Sequence, residues 1–291
     1  MAENITDPQK NEGKVYTLYY AFFLIPLMIT IVSVMFFFMF KVLTYETNSP
    51  VDYLTDVQYG AATKRWQAAY ELSKILSNPE LVPLDNEFHR RMIAVYNHSI
   101  HDDPMVRMYL ALAMGRTKRS IYGDPLMQGL DDNDKGSRVA AIKALGSLAY
   151  IPSINRLMEF TNLNKSVEER LSATISLGNM GNKSVIPILS MLLNDEEPNV
   201  RWDAAIALAN LEDSSGTQVI INLLDRKYYD QFKEVDAEEA VQAILVAIQA
   251  TSKIPSEKFV TNLLKLATID HNMKIRDSAI KTLDKIYNRK I

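Results

Sequence analysis

The chain has no cysteine. Disulfides, cysteine-based metal sites and thiol catalysis are therefore excluded, although the compartment stays open, since cytosolic and periplasmic proteins alike can do without cysteine. Glycine (10) and proline (11) are scarce among 291 residues, which disfavours an all-β chain with many turns. Neither sign of charge dominates. The 32 Lys and Arg stand against 35 Asp and Glu, which is not the positive excess of a general nucleic-acid binder. Gly-x-Ser-x-Gly, P-loop and Gly-x-Gly-x-x-Gly patterns are missing as well, so nucleophilic or nucleotide chemistry has only ordinary serines to draw on.

Between Lys14 and Lys41 charge is missing altogether, over the 26 residues 15–40. As a helix that stretch spans roughly 39 Å, more than the ~30 Å hydrocarbon layer of a bilayer. Tyr16, Tyr19 and Tyr20 stand at its start, where an interfacial aromatic belt belongs. Pro26 predicts a kink, which membrane helices tolerate. The run ends in Met-Phe-Phe-Phe-Met-Phe with no small-residue cleavage site, so an uncleaved single-pass anchor is expected rather than a signal peptide. Lys10 and Lys14 before the span against Lys41 after it place the N-terminus in the cytoplasm and the large domain outside, in a bacterial inner membrane. Residues 1–14 read as a disordered tail and 41–57 as a juxtamembrane linker. Its Thr47-Asn-Ser-Pro turn signal keeps the domain near the membrane surface.

The remaining residues, 58–291, repeat. Arg138-Val-Ala-Ala-Ile-Lys-Ala-Leu-Gly146, Arg170-Leu-Ser-Ala-Thr-Ile-Ser-Leu-Gly178 and Arg201-Trp-Asp-Ala-Ala-Ile-Ala-Leu-Ala209 are spaced by 32 and 31 residues. Further copies start at Arg65, Arg107, Ala237 and Arg276, with insertions near 79–100, 226–236 and 251–256 absorbing the longer steps. In each unit a small-residue helix (Ala204, Ala205, Leu208, Ala209) precedes a Leu-rich one (Ile188, Leu189, Leu192, Leu193), and neither can bury its face alone. The pattern predicts an all-α solenoid of about six repeats with a C-terminal capping helix.

The acidic turn, Val-Arg, Ala-Ala and Ala-Leu-Gly elements, followed by a Pro-Ile-Leu helix, resemble the short bacterial HEAT repeat of phycobilin-lyase-like proteins. The resemblance covers about residues 59–291, and the first unit after the span looks like membrane-anchored bacterial HEAT proteins. It implies a right-handed α-solenoid that works as a binding scaffold rather than as an enzyme. The partner would be a protein, such as a subunit of a membrane complex like a transporter, with no nucleic acid, small-molecule substrate or cofactor. The alternative it leaves open is a bilin-lyase-type enzyme, or cofactor-binding protein, using the concave groove. No His-Glu pairs recur, so the di-iron hydroxylase form of the fold has no candidate ligands here.

The recurrent arginines follow the repeat period and read as an inter-repeat ladder to acidic turns and helix ends. His98, His101, Asp102 and Asp103 have metal-ligand chemistry, yet Asp-Asp-Pro is also the acidic turn of the repeat, and no metal site is assigned. The basic clusters Arg90-Arg91 and Arg116-Thr-Lys-Arg119 read as solvated turns, with anionic lipid heads as the alternative. Aligning the second helices on their Leu-Leu pairs puts Gln128, Arg156, Met191, Asn222 and Asn262 in one outward slot. In HEAT-like solenoids that slot lines the concave side, so these five residues are the candidate binding row. Tyr228, Tyr229 and Phe232 sit among charges in the insertion at 226–236. They are either an anchor for a partner or an extension packed on its own neighbour.

Overall fold

The computed structural model describes residues 19–43 and 48–290, apart from the side chains of residues 42, 43 and 101. The expected tail at 1–14, residues 15–18 of the span and residues 44–47 of the linker lie outside them. Two compact units result, residues 1–49 and 50–291.

The first unit is a helix whose regular part is α1 (Ile25–Leu43), entered through a π-helical turn at Tyr20–Leu24. The turn has a local cause. Pro26 offers no N–H and its ring would press on the carbonyl one turn back, and widening the preceding turn, with Ile25 N–H donating to Tyr20 O, makes room. The expected proline kink thus takes the form of a π-turn. From Tyr20 to Lys41 this is one helix long and apolar enough to cross a membrane, with none of it buried. Its 22 residues rise about 33 Å. An N-terminal signal sequence has the same properties.

The second unit is all helical among the described residues. In order it contains α2 (Pro50–Tyr59), α3 (Ala62–Ile75), α4 (Asn86–His98), α5 (Pro104–Arg116), α6 (Gly123–Gln128), α7 (Lys135–Leu148), α8 (Ile154–Glu159) and α9 (Val167–Asn179). It continues with α10 (Ile186–Leu192), α11 (Pro198–Asn210), α12 (Thr217–Leu223), α13 (Ala237–Thr251), α14 (Val260–Ile269) and α15 (Met273–Tyr287). The odd-numbered helices from α3 are the small-residue first helices, and each holds one of the seven repeat starts. The even-numbered ones from α4 are the second helices. Six pairs therefore stack, and α15 follows them. Residues 50–57, expected in the linker, are helix: Leu54 and Val57 of α2 are fully buried in the core, and Leu-x-x-Val spacing is what puts both on one face.

Helix ends explain the punctuation. Asp103, Asp134, Asp236 and Asn272 accept backbone N–H bonds at the starts of α5, α7, α13 and α15. Ser166 and Glu169 form a reciprocal capping box on α9. Pro104 and Pro198 occupy first turns, where a missing N–H costs little. The second helices from α6 to α14 are each entered through a 3-10 turn, such as Ser120–Tyr122 and Lys183–Val185. The apolar core falls into two clusters that meet at α11. Val200, Ala204 and Leu208 belong to the N-terminal one, and Trp202, Ala205 and Ala209 to the C-terminal one.

Candidate functional site

The ionisable residues inside the solenoid are largely committed to holding it in register. Arg107 Nη1 donates to Ser99 O (3.1 Å) and Ile100 O (3.0 Å) of the turn before it, while Nη2 and Nε reach Asp132 of the next turn at 2.9 and 2.6 Å. The same two-sided use recurs. Arg138 joins Asp132 O (2.8 Å) and Asn133 O (3.0 Å) to Glu169 (2.7 Å). Arg170 joins Lys165 O (3.1 Å) to both oxygens of Asp195 (3.0 and 2.9 Å) and to Glu196 (3.2 Å). Arg65 pairs with Val57 O at 2.7 Å and with the Asp102 carboxylate. In α13 the arginine slot, four residues past the N-cap Asp236, holds Ala240 and not Ala237, and Arg226 of the insertion stands in, with both arms on Asp270 at 2.7 and 3.0 Å. Burial alone would raise the Glu169 and Asp270 carboxyls. Hydrogen bonds from Ser166 and Arg138 to the first, and from Arg226 and the Asn272 N–H to the second, outweigh it and hold both below the ordinary value. Their share of stability is thus present above the carboxylate range and is lost as pH falls through it.

The five residues of the predicted row divide. Arg156 crosses to Asp131 at the end of the previous second helix, 2.6 Å away, and also approaches Glu159 at 3.4 Å. Asn262 donates across to Ile221 O on α12 at 3.0 Å, and Asn222 accepts from Gln218 at 3.2 Å. These three tie second helices together or close on their own helix. Met191 and Gln128 are exposed.

Gln128 lines a cavity of about 200 Å³ with Tyr96, Asn97, Ile100, Pro125 and Gly129. Tyr96 is 6 % exposed, and its hydroxyl lies against Gly129. Burial pushes its phenol up, so it remains a neutral donor and acceptor. Gly129 makes the space, since a Cβ there would sit 2.2 Å from the hydroxyl. The phenol, the carboxamides of Asn97 and Gln128 and two apolar walls share this pocket on the second-helix face with the charged Arg107, Asp131 and Asp132, so it is a polar, hydrogen-bonding cavity. The 42-residue first step hid the register of α4, so Tyr96 and Asn97 did not emerge from the repeat alignment. The acidic partners beside them, Asp131 and Asp132, are already paired with Arg156 and Arg107.

The insertion aromatics pack inward. Trp202 of α11 meets Tyr228, Tyr229 and Phe232 with ring centroids 6.1, 5.7 and 5.3 Å away, and its Nε1–H donates to Tyr228 Oη at 3.3 Å. Tyr229 is buried and its hydroxyl donates to Leu223 O at 2.9 Å. The segment is a 3-10 stretch (Arg226–Gln231) folded onto its own neighbour, with Tyr228 and Phe232 half-buried at its edge.

Among the described residues no group of three His, Asp or Glu is placed to hold a metal. Asp102 is engaged by Arg65, and Asp103 caps α5 through Met105 N–H at 2.9 Å. The basic clusters are partly spent: Arg91 bonds Gln58 (2.8 Å) and Thr55 (3.0 Å), and Arg116 bonds the Ser73 carbonyl.

A buried and a half-buried titratable group lie off the ladder. His89 hydrogen-bonds Tyr122 Oη through Nδ1 at 2.6 Å, and burial, aided by the charge of Arg119, lowers its pKa, so it stays neutral in the core. Asp203 of α11 has no acidic or basic partner, and burial pushes its carboxyl up to about 6. Because the folded value lies above the unfolded one, this group favours folding only while protonated, and that advantage is lost as pH rises through about 6. Asp203→Asn is therefore expected to stabilise the protein by about 1–2 kcal/mol at pH 8, taking 1.36 kcal/mol per unit and discounting for partial solvation, and to change little at pH 4. Urea titrations at the two pH values check this.

Comparison with known proteins bears on the fold. The family described as HEAT repeats matches residues 154–244. No curated protein matches the chain. Among solved structures, the complex of CpcE and CpcF of phycocyanin lyase from a Nostoc species is similar at 20% identity, covering 84% of this chain and 96% of that one, with a TM-score of 0.51. Human deoxyhypusine hydroxylase matches at 16% identity over 82% of this chain and 85% of that one (TM-score 0.36). A designed armadillo repeat protein matches at 18% over 81% and 99% (TM-score 0.42). At such identities the likeness is one of fold: the lyase complex and the helix stack together make residues 50–290 an all-α repeat solenoid, with HEAT repeats in its central part.

Proposed function

We propose that this protein is a non-enzymatic, membrane-anchored scaffold that holds a protein partner on the second-helix face of its solenoid. The observation that carries the reading is the helix Tyr20–Lys41, apolar throughout and with no side chain buried, joined to a stack whose charges serve mainly to lock repeat to repeat. A bare apolar helix of this length is stable in a bilayer and costly in water. The pocket at Tyr96, Asn97 and Gln128 and the exposed Met191 give the second-helix face open positions for a partner. The basic residues before the span favour the outer side of a bacterial inner membrane for the solenoid, beside a membrane complex such as a transporter.

Gentle detergent extraction tests both halves. The chain is expected to run at its full 33.0 kDa, with the apolar segment retained, and to bring an integral membrane protein with it. A shortened chain would make the segment a signal sequence, and a lone monomer would remove the scaffold reading. A coloured small molecule bound to the solenoid would replace that reading by a chromophore-handling one.

A further inference from the structure

The arginine ladder has one open rung. Arg65, Arg107, Arg138, Arg170 and the stand-in Arg226 each meet a carboxylate of the following turn. Arg276 lies on α15, the last described helix, and its Nη1 donates to Asp270 O at 2.5 Å. Arg201 is interior and differs. Its Nη1 donates to Asp195 O at 2.6 Å and Glu196 O at 3.0 Å, which orients the guanidinium as in the other rungs, but no carboxylate meets its other edge. The acid of this ladder stands two residues before the helix N-cap in Asp132, Asp195 and Asp270; before the Asp236 cap of α13 that position is Glu234, and no ion pair joins it to Arg201 among the described residues. The rung on Arg138 faces a gap at Asn164, and there Glu169 reaches in.

The insertion brings further features to this place. Tyr228 Oη lies 3.3 Å from the indole N–H of Trp202, the residue beside Arg201, so the segment passes next to the open rung. It offers half-buried aromatic edges at Tyr228 and Phe232, and exposed lysines at 227 and 233. The two apolar clusters also meet at α11, so a ligand here would brace the step at which the stack is divided.

We propose that Arg201 is a docking point for an acidic segment of a protein partner, whose Asp or Glu carboxylate completes the ladder by the two-pronged pairing that Arg170 and Arg226 make within the chain. The aromatic edges beside it supply contact area, and the pairing is specific for a planar carboxylate because the guanidinium is already fixed by its two carbonyls. This site stands apart from the Tyr96 pocket and does not require it.

The test uses the full chain in detergent, with Trp66→Phe so that Trp202 emission reports alone. Titration with acetyl-hexaglutamate amide at low salt is expected to give a saturable change. Arg201→Gln should weaken binding at least tenfold, and Arg201→Lys, which keeps charge but loses the fork, by an intermediate factor. Arg201→Gln, which loses only the bonds to two carbonyls, should lower the unfolding midpoint less than Arg107→Gln, which also orphans Asp132; a cooperative transition checks that the variant folds. Equal binding by Arg201→Gln, no saturation up to about 10 mM, or equally strong binding of inorganic phosphate would overturn the proposal. So would energetic coupling between Arg201→Gln and Asp230→Asn, which would mean that the insertion closes the rung from within.

Discussion

Replacing Arg170 by alanine is expected to destabilise the solenoid by about 3–5 kcal/mol, the range for breaking one side of a buried ion pair. Arg170 is 2 % exposed and Asp195 5 %. Without the guanidinium the Asp195 carboxylate stays buried with only the Glu197 N–H (2.8 Å) to satisfy it. The Lys165 carbonyl loses its donor as well. The magnitude comes from the orphaned acid and not from the net worth of the pair, so the double replacement Arg170→Met with Asp195→Leu should recover about half of the loss. Arg138→Ala, whose side chain is 24 % exposed, should cost clearly less, about 1–2 kcal/mol, because the buried Glu169 carboxylate keeps the Ser166 N–H (3.1 Å) and hydroxyl (2.7 Å) as donors. Chemical denaturation of the three variants separates these outcomes. Equal costs for Arg170→Ala and Arg138→Ala would mean that burial does not set the strength of a rung.

The ladder shows how far residue spacing carries. An arginine at a fixed slot, every 31 or 32 residues, allows one geometry in a stacked array: each arginine sees the turn before it and the turn after it. That much was readable from Arg107, Arg138, Arg170 and Arg201 alone. The substitutions within the scheme were not. Glu169 answering Arg138 depends on a capping box that turns its carboxylate across the interface. Arg226 answering Asp270 depends on an insertion whose path has no repeat to align with. The same limit applies to the candidate row. A helical wheel places Arg156 and Asn262 outward, but whether an outward side chain is open to a ligand depends on the reach to the next helix. Both reach it, at Asp131 and Ile221. The insertion aromatics were ambiguous for a related reason: their burial comes from Trp202, 26 residues earlier, at a position where the other repeats carry Val139, Leu171 and Met108.

Gly146→Val is expected to destabilise the protein by about 3 kcal/mol, and the reason lies in how closely the first helices approach. A Cβ on Gly146 of α7 would lie 2.4 Å from Ser176 Cβ and 2.6 Å from its Cα on α9, so no rotamer change relieves the clash and the two helices must part. Parting them also strains the Ser176 hydroxyl bond to Ile142 O, now 3.0 Å. Gly115 against Ala144 and Gly178 against Ala207 repeat the contact one step to either side, so a shift at α7 and α9 cannot be absorbed locally without disturbing the next rung. Overpacking of this kind costs about 1–3 kcal/mol, and a β-branched residue in a helix adds a few tenths. Gly146→Ala tests the balance more finely, because alanine gains about 1 kcal/mol of helix propensity against the same clash and should still come out destabilising. The control is in the same helix. A Cβ on Gly136 meets the Asp134 carboxylate at 3.2 Å and Met108 Sδ at 3.9 Å, contacts that at most loosen the α7 cap, so the helix-propensity gain should leave Gly136→Ala neutral or slightly stabilising. Ser176→Gly, which removes the opposing Cβ and hydroxyl, should restore part of the stability of Gly146→Ala while lowering that of the parent. If Gly146→Ala and Gly136→Ala shift the unfolding midpoint in the same direction, close helix approach does not explain the glycine of this repeat.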